Sequence, residues 1–346
     1  MAKFTRILSI DGGGVRGLIP AQILIYVEQR LQQRTGNPRV RIVDYFDIIA
    51  GTSAGGILTA LYLRPQHRNP DRPQFSAQEA ANFFYKTADQ IFSQTFWSKL
   101  LNIGGVFGEK YSARGLEKLS QNFFGDLKLS QLLKPCLITA YEIERRKAFF
   151  FTQHDAQLDS RQDFLVRDVI RSTTAAPTFF EVAQIKSLGN DVYTFIDGGV
   201  FANNPALCCY AEVRHKFNHY FNIDQRYESG PTAREMIILS LGTGDVKTGY
   251  PFELAKRWGK IRWLTPLFNI IMTGTAETVN YQLTQIYDAI ENPPGYLRIN
   301  PILRSQNIMA IDDTSQENLD AVVKLGREQA QQYQNRLDDF IELLLL

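Results

Sequence analysis

A serine held between two close glycines is the first residue in this chain whose setting indicates chemistry. Ser53 is the centre of Gly51-Thr52-Ser53-Ala54-Gly55. The apolar run 46–50 before it predicts a buried strand, and the apolar residues in 57–62 recur at helical spacing. A sharp strand-to-helix turn that exposes a seryl hydroxyl is a nucleophile elbow. An ordinary glycine-rich loop gives the same pattern, so this stretch alone leaves both interpretations open.

A carboxylate much later in the chain offers the base that such a serine needs. A seryl hydroxyl is a weak nucleophile until a neighbouring group takes its proton. Asp197-Gly198-Gly199 follows the predicted strand 192–196, and the carboxyl ends of strands are the usual location of α/β active sites. An Asp at such a position can also simply cap a turn.

Histidine is the commonest base for a serine nucleophile, and the chain has only four: His67, His154, His215 and His219. None of them ends a predicted core strand or follows a turn glycine. The connections of a parallel sheet bring distant strand ends together, so Ser53 and Asp197 are predicted to meet. The sequence therefore favours a Ser–Asp dyad over a triad.

A glycine loop near the start of the chain has two possible uses. Gly12-Gly13-Gly14-Val15-Arg16-Gly17 lies between a predicted strand and a predicted helix, and Gly12, Gly14 and Gly17 match the spacing of a dinucleotide-binding turn. Asp11 immediately precedes the loop, and its charge would oppose a pyrophosphate. The alternative use is to direct backbone N–H groups at a developing oxyanion, which we favour because a candidate nucleophile follows on the next strand.

The elements around these motifs predict an α/β fold. Strand, glycine loop and helix alternate through the first half of the chain, and further strands are predicted at 136–142, 148–152 and 236–241. An amphipathic stripe from Asn318 onwards predicts a C-terminal helix packed on the body. No repeat or linker divides the chain, so we predict one domain over 1–346, in which 245–346 form a mainly helical C-terminal part.

Composition places the chain among ordinary globular proteins. It has 346 residues, 44% hydrophobic and 21% charged, with a formal net charge of +2. That charge gives no reason to expect nucleic acid as a partner. Three cysteines, two of them adjacent, make a poor disulfide framework and indicate a reducing compartment. The first residues show no apolar signal region, and no apolar run is long enough to span a membrane, so a cytoplasmic protein is expected.

Two segments carry aromatic side chains in a pattern that suits a lipid interface. The stretch 91–107 is rich in Phe and interrupted by glycine, which is consistent with an apolar flap as well as with ordinary packing. In 258–272, Trp, Lys and Arg are interleaved, as they are at membrane interfaces. A half-buried helix would show the same mixture.

Taken together, the three motifs resemble the signatures of the patatin-like phospholipases. The resemblance is based on three segments, which occur in the order Asp11 to Gly17, Gly51 to Gly55 and Asp197 to Gly199. Further segments are similar to plant patatins: 129–135, 172–177, 203–205, 238–244 and the tail near 309–318. The resemblance covers nearly the whole chain.

The resemblance implies a three-layer α/β/α fold with a central, mostly parallel sheet, and lipid acyl hydrolysis. It implies that Ser53 is the nucleophile, Asp197 the base, and Gly12, Gly13 and Gly14 the oxyanion hole. The remaining motif positions would support the site, and they are Arg16, Gly17, Gly51, Gly55, Gly198 and Gly199. Arg16 would either brace the loop or attract a lipid head group. No metal or organic cofactor is expected, and the expected partner is a membrane lipid, met by transient contact with a membrane surface.

Other functions fit parts of the same pattern. An acyltransferase for acyl-carrier protein uses a similar elbow but usually places His before the serine, where this chain has Thr52. Transfer of the acyl group to another alcohol, a lipase triggered by a cyclic nucleotide, and a storage role are further alternatives. A nucleotide-binding module is the alternative from a different class, and it rests on the glycine spacing alone. Lipid class, positional preference and oligomeric state are not indicated by any motif.

Overall fold

The computed structural model of the chain describes residues 4–92, 114–177, 179–220, 230–246, 249–303 and 310–346. Its centre is an eight-stranded sheet in which seven strands follow the order β5-β6-β3-β2-β1-β7-β9, and β4 pairs with β3. The strands of this sheet are β1 Thr5–Ile10, β2 Ile48–Thr52, β3 Cys136–Glu142, β4 Lys147–Thr152, β5 Ala183–Lys186, β6 Val192–Asp197, β7 Met236–Leu241 and β9 Tyr296–Ile299. Two short strands, β8 Asp245–Val246 and β10 Ile302–Leu303, form a separate pair.

Helices account for most of the remaining described chain. They are α1 Leu18–Thr35, α2 Ile42–Tyr45, α3 Ala54–Leu63, α4 Ala77–Phe92, α5 Arg114–Phe124, α6 Gln153–Leu158, α7 Val166–Thr173, α8 Gly199–Ala202, α9 Ala206–Tyr220, α10 Phe252–Ala255, α11 Lys260–Ala289, α12 Gln316–Gln332 and α13 Gln334–Leu345. Ser76 and Glu79 form a capping box at the start of α4, because each residue's side chain accepts from the other's backbone N–H.

Both faces of the sheet are covered, which gives three layers. Successive side chains of a strand point to opposite faces, and along β1 Leu8 belongs to one buried cluster while Ile7 belongs to another. The first cluster contains α1, α3, α4, α12 and α13, and the second contains side chains of α9 and α11. The predicted α/β/α fold with a largely parallel sheet is confirmed.

The middle of the sheet contains a reversal that the sequence did not indicate. β2 runs parallel to β3, and Thr52 pairs with Thr139. β6 runs antiparallel to β3, and Asp197 pairs with Ala140, the next residue along. Because β4 occupies one edge of β3 over most of its length, β2 and β6 share the other edge. Their carboxyl ends therefore meet head to head, which differs from the parallel crossover we expected to join Ser53 and Asp197.

The C-terminal part differs from the prediction in two details. Residues 245–346 include helices and also the strand β9, which pairs with β7 at the edge of the main sheet. The amphipathic stripe forms two helices, α12 and α13, which are separated at Tyr333 although neither glycine nor proline marks the break. Leu319 and Val322 of α12, and Leu337 and Phe340 of α13, still enter the same buried cluster as α1.

Candidate active site

Ser53 lies at the tight turn between β2 and α3. Its backbone has φ 54° and ψ −118°, a sparsely populated conformation for a residue with a Cβ, which costs on the order of 1–3 kcal/mol. The Ser53 N–H donates to Thr173 Oγ1 at 2.8 Å, which helps to hold the turn. The start of α3 directly follows Ser53, so the positive end of the helix dipole favours negative charge there. These are the features of a nucleophile elbow.

The glycines on either side of Ser53 are required by close contacts. A Cβ on Gly51 would lie 2.2 Å from Gly55 O, and a Cβ on Gly55 would lie 2.1 Å from Ile10 O. Gly17 of the first loop is also close to the elbow, since its Cβ would lie 3.1 Å from the Ala54 Cβ. Small residues therefore allow β1, the glycine loop and α3 to approach one another beneath Ser53.

Asp197 is buried beside Ser53 with its carboxylate held in place. Its Oδ1 accepts from the Gly199 N–H at 2.7 Å, and Asp197 and Ser53 line the same cavity. Burial raises the pKa of Asp197 from 3.8 to about 7, and the hydrogen bond from the Gly199 N–H and the nearby Ser53 hydroxyl oppose that rise. A carboxylate with a pKa near neutrality, beside a seryl hydroxyl, has the properties of a general base.

A chain of buried hydroxyls connects the carboxyl ends of β2 and β6. Thr52 Oγ1 donates to Ala202 O at 2.7 Å, so the hydroxyl of Thr139, 2.7 Å away, must donate to Thr52. Gly198 packs directly on Thr139, because its Cβ would lie 2.1 Å from Thr139 Oγ1. Likewise, a Cβ on Gly199 would lie 2.5 Å from Met272 Sδ. Thr52 stands where some acyltransferases carry a histidine, and here it is a structural link.

The glycine loop faces the same site, but its three predicted donors are not equivalent. The Gly12 N–H donates to Asn203 O at 3.1 Å and is therefore already used. Among the described residues, the N–H groups of Gly13 and Gly14 have no acceptor, and both residues line the cavity that contains Ser53. Gly14 has φ 59°, and a Cβ there would lie 1.9 Å from Ile311 O. The geometry thus leaves two candidate oxyanion donors instead of three.

Hydrogen bonds to the loop carbonyls fix the direction of those two donors. Thr243 Oγ1 donates to Gly12 O at 2.6 Å, and Arg16 N donates to Gly13 O at 3.2 Å. In a trans peptide the C=O and the following N–H point in opposite directions. Holding the carbonyls of Gly12 and Gly13 therefore directs the N–H groups of Gly13 and Gly14 away from Thr243 and Arg16.

Arg16 is placed to brace this loop. Its side chain is buried, and its guanidinium is 3.5 Å from Gly13 O and 3.4 Å from Gly244 O. Burial lowers the pKa of Arg16 to about 10, so it is still charged at neutral pH. Of the two roles that its motif position allows, these contacts match bracing of the loop.

Asp11, which precedes the loop, forms a buried ion pair that the sequence analysis missed. Arg298 of β9 donates from Nη1 to Asp11 Oδ1 at 2.8 Å and from Nη2 to Asp11 Oδ2, and Nη1 also donates to Ser240 Oγ. Breaking such a pair leaves an uncompensated buried charge, at a cost of about 3–5 kcal/mol. The signal in the sequence is an arginine within the apolar strand Tyr296-Leu297-Arg298-Ile299, because a charged side chain in a buried strand needs a partner of opposite charge.

The cavity at this site is narrow and mostly apolar. Ser53, Asp197, Gly13 and Gly14 line it on one side. Its apolar wall consists of Phe92, Phe179, Phe180, Phe268, Met272 and Ile311. The free space is about 30 Å³, the volume of roughly one water molecule. Fatty chains suit such a wall. Of the predicted aromatic stretch 91–107, Phe92 contributes to the wall, while 93–107 lie outside the described residues.

The described histidines, and the one described group that could hold a metal ion, lie outside the cavity of Ser53. Among the described side chains no histidine lines the cavity of Ser53. His154, Asp155 and Glu212 form the one group, within the described part of the chain, whose ligand atoms converge as they would on a metal ion. Lys216 Nζ already bridges Asp155 and Glu212 at 2.5 and 2.9 Å, so an ammonium occupies the position between these carboxylates. This cluster could not be predicted from local sequence, because Glu212 and Lys216 are more than fifty positions away from the adjacent His154 and Asp155.

Comparisons with known proteins agree with the geometry. The family model described as patatin-like phospholipase matches residues 8–209. Patatin-like protein 2 of Oryza sativa subsp. indica is 34% identical over 97% of this chain and 86% of that protein. Patatin-like protein 3 of Arabidopsis thaliana is 31% identical over 94% of this chain and 80% of that protein. Patatin-T5 of Solanum tuberosum is 29% identical over 99% of this chain and 90% of that protein.

Among solved structures, VipD from Legionella pneumophila aligns with 97% of this chain and 67% of its own, at 11% identity. The TM-score of that alignment is 0.46, which is too low to support an argument about the site. The family match and the 34% identity over nearly the full length carry the assignment. The chain belongs to the patatin-like phospholipase family, a family of lipid acyl hydrolases.

Proposed function

We propose that the protein is a serine esterase that cleaves fatty acyl esters of membrane phospholipids or glycolipids through a Ser53–Asp197 dyad. The observation that carries the proposal is the position of the strained Ser53 beside the buried carboxylate of Asp197 in one cavity, where burial raises the pKa of that carboxylate to about 7. The free N–H groups of Gly13 and Gly14 and the apolar wall complete the requirements for an ester with a fatty acyl chain.

In the first half of the reaction, Asp197 takes the Ser53 proton as Oγ attacks the ester carbonyl carbon. The tetrahedral oxyanion accepts hydrogen bonds from Gly13 and Gly14, and a well-placed donor contributes roughly 3 kcal/mol in comparable enzymes. Protonated Asp197 then gives its proton to the departing alcohol oxygen, and the C–O bond breaks. The products are a lysolipid and an acyl ester on Ser53.

In the second half, a water molecule takes the place of the alcohol. Asp197 takes a proton from this water, whose oxygen attacks the acyl carbonyl carbon. Collapse of the second tetrahedral intermediate releases the fatty acid, and Ser53 Oγ recovers its proton from Asp197. Ser53 supplies the nucleophile, Asp197 the base, and Gly13 and Gly14 the oxyanion donors. Asp197 accepts and returns the proton in each half of the cycle.

The proposed setting is the cytoplasmic side of a membrane. Cys136, Cys208 and Cys209 are all free thiols, which supports a reducing compartment. None of the helices in the described segments is both long and apolar enough to cross a bilayer.

The function is tested by mass spectrometry of fatty acids and lysolipids released from vesicles of mixed phospholipids and galactolipids. We expect release by the unaltered protein and none above background by Ser53→Ala. Added lysolipid should not divert the acyl group into a new diacyl lipid. Efficient transfer to lysolipid would instead identify an acyltransferase, and no release from any lipid would contradict the proposal.

The pKa of Asp197 predicts how activity varies with pH. A general base works only when it is ionised, and burial moves the ionisation of Asp197 up to about 7. We therefore expect kcat/KM to decrease about tenfold per pH unit below about pH 7 and to level off above it. Stopped assays with a soluble p-nitrophenyl ester would measure this. A flat profile from about pH 5 to about pH 8 would show that Asp197 is not the titrating base.

Thr243 gives a second prediction, because its hydroxyl sets the direction of the Gly13 N–H. Thr243→Val keeps the shape but removes the donor to Gly12 O, so we expect kcat to decrease about 10- to 100-fold with little change in KM. Thr243→Ser keeps the hydroxyl and should retain most of the activity. A valine variant with unaltered kcat, or a serine variant as impaired as the valine variant, would contradict this positioning role.

A further inference from the structure

The segment that carries α10 and the first half of α11 has an unusual surface. Large apolar side chains with at least a third of their area exposed are scattered singly over most of the described chain, but six of the thirteen lie within residues 250–270. They are Tyr250, Phe252, Leu254, Trp263, Leu267 and Ile270. Phe252 and Leu254 are 74% and 61% exposed. A concentration of this kind marks a contact surface.

The charge of the same segment is strongly positive. Between Asp245 and Glu277 the sequence contains five basic residues and a single acidic one, Glu253, although the whole chain has a net charge of only +2. Lys256, Arg257 and Arg262 are exposed next to the apolar side chains. Aromatic and aliphatic side chains interleaved with Lys and Arg are the composition of elements that lie in the interface of anionic membranes.

The same helix reaches the active site. Phe268 and Met272 of α11 form part of the apolar cavity wall, and Leu267 and Ile270, on neighbouring positions, are exposed. Residues four apart share one face of a helix, so one face of α11 covers Ser53 and another is open to the outside. A lipid chain that leaves a bilayer at this surface would meet Phe268 and Met272 next.

We propose that the surface formed by Tyr250, Phe252, Leu254, Trp263, Leu267 and Ile270 is the membrane-docking surface of this enzyme, and that it selects anionic lipid bilayers through Lys256, Arg257 and Arg262. This inference rests on the proposed function in one respect, since it identifies the surface from which Ser53 receives its substrate. The occupant to which it commits is a bilayer with anionic head groups, because the basic residues complement that charge.

The experiment is vesicle co-sedimentation of the full chain carrying Ser53→Ala, so that no lipid is hydrolysed during the measurement. The vesicles are phosphatidylcholine alone, or phosphatidylcholine with phosphatidylglycerol. We expect binding to the second kind to be at least about tenfold stronger and to weaken as NaCl is added. Equal binding to both kinds of vesicle would overturn the selection for anionic lipid.

Variants then locate the surface. Phe252→Ser, Leu254→Ser and Leu267→Ser together should reduce the partition coefficient at least about tenfold. Lys256→Glu with Arg257→Glu should remove the preference for anionic vesicles. The matched control is Leu158→Ser, Val182→Ser and Val192→Ser, three side chains that are also exposed but lie outside this segment, and it should bind as the parent does. Unchanged binding by the first variant would overturn the proposal.

The two proposals fail in different ways. With Ser53 restored, the triple variant should hydrolyse a soluble short-chain ester at the unaltered rate and lose activity only on vesicles, because none of the three residues lines the cavity. If that variant hydrolyses vesicles normally, the docking surface is refuted while the esterase stands. Absence of vesicle binding together with concentration-dependent dimers would show that a second copy of the chain covers this surface, and would also refute it.

Discussion

Replacing Ser53 with alanine should reduce the rate of ester hydrolysis by at least about 10⁴-fold, because the loss of a nucleophile removes the acyl-enzyme route altogether. The fold should survive the change. The N–H of residue 53 still donates to Thr173 Oγ1, and the strained backbone at φ 54° is no worse for alanine than for serine. We expect the melting temperature to change by no more than a few degrees. Rates on a p-nitrophenyl acyl ester, measured alongside thermal unfolding, would test both expectations.

Ser160→Ala is the matched control for that experiment. Ser160 is exposed and does not line the cavity, so its replacement should leave the rate unaltered. Hydrolysis by Ser53→Ala at a rate within tenfold of the unaltered protein would exclude Ser53 as the nucleophile. A collapse of the melting temperature would instead mean that the lost activity reports unfolding, and circular dichroism would identify that outcome.

Replacing Asp197 with asparagine should have the second largest effect, about 10²- to 10⁴-fold in kcat, the range that general-base catalysis contributes. The amide keeps an oxygen that can accept from the Gly199 N–H, as Asp197 Oδ1 does now at 2.7 Å. It cannot take the Ser53 proton. The variant should also lose the decrease in activity below about pH 7, since that decrease reports protonation of Asp197. Rates as a function of pH would measure both effects in one series.

A second buried aspartate shows whether the effect belongs to the site. Asp163 accepts from the backbone and the hydroxyl of Ser130 and does not line the cavity. Asp163→Asn should lower the melting temperature and leave kcat and its pH dependence unaltered. If Asp197→Asn retained the acid limb of the profile, another group would have to be the base.

The arrangement of the elements could be predicted from local sequence patterns. The buried strands at Ser53, Asp197 and Gly242 are visible as short apolar runs with a glycine one or two residues later, and the structure has β2, β6 and β7 there. Strand β3 and strand β7 have the predicted limits. Local patterns do not encode strand direction, however. The antiparallel course of β6, which brings Asp197 to the end of β2, depends on pairing between distant segments.

In the site, too, local sequence patterns predict some features, and contacts between distant residues determine the others. Motif glycines could be identified because a tight turn or a close approach excludes any Cβ, as at Gly55 and Gly198. Their partners could not. Thr243 contacts the glycine loop from more than two hundred positions away, and Arg298 reaches Asp11 from the far end of the chain. The occupation of the Gly12 N–H by Asn203 O is likewise a tertiary contact, so three donors were predicted where two are free.

The measurement that tests the central claim most directly is covalent labelling by a fluorophosphonate, which reacts preferentially with an activated serine. Intact mass spectrometry and peptide mapping after labelling should place one adduct per chain, on Ser53. Labelling should be absent in Ser53→Ala and at least about a hundredfold slower in Asp197→Asn. An adduct on another serine, or labelling of Ser53→Ala at the unaltered rate, would contradict the account of Ser53 as a nucleophile activated directly by Asp197.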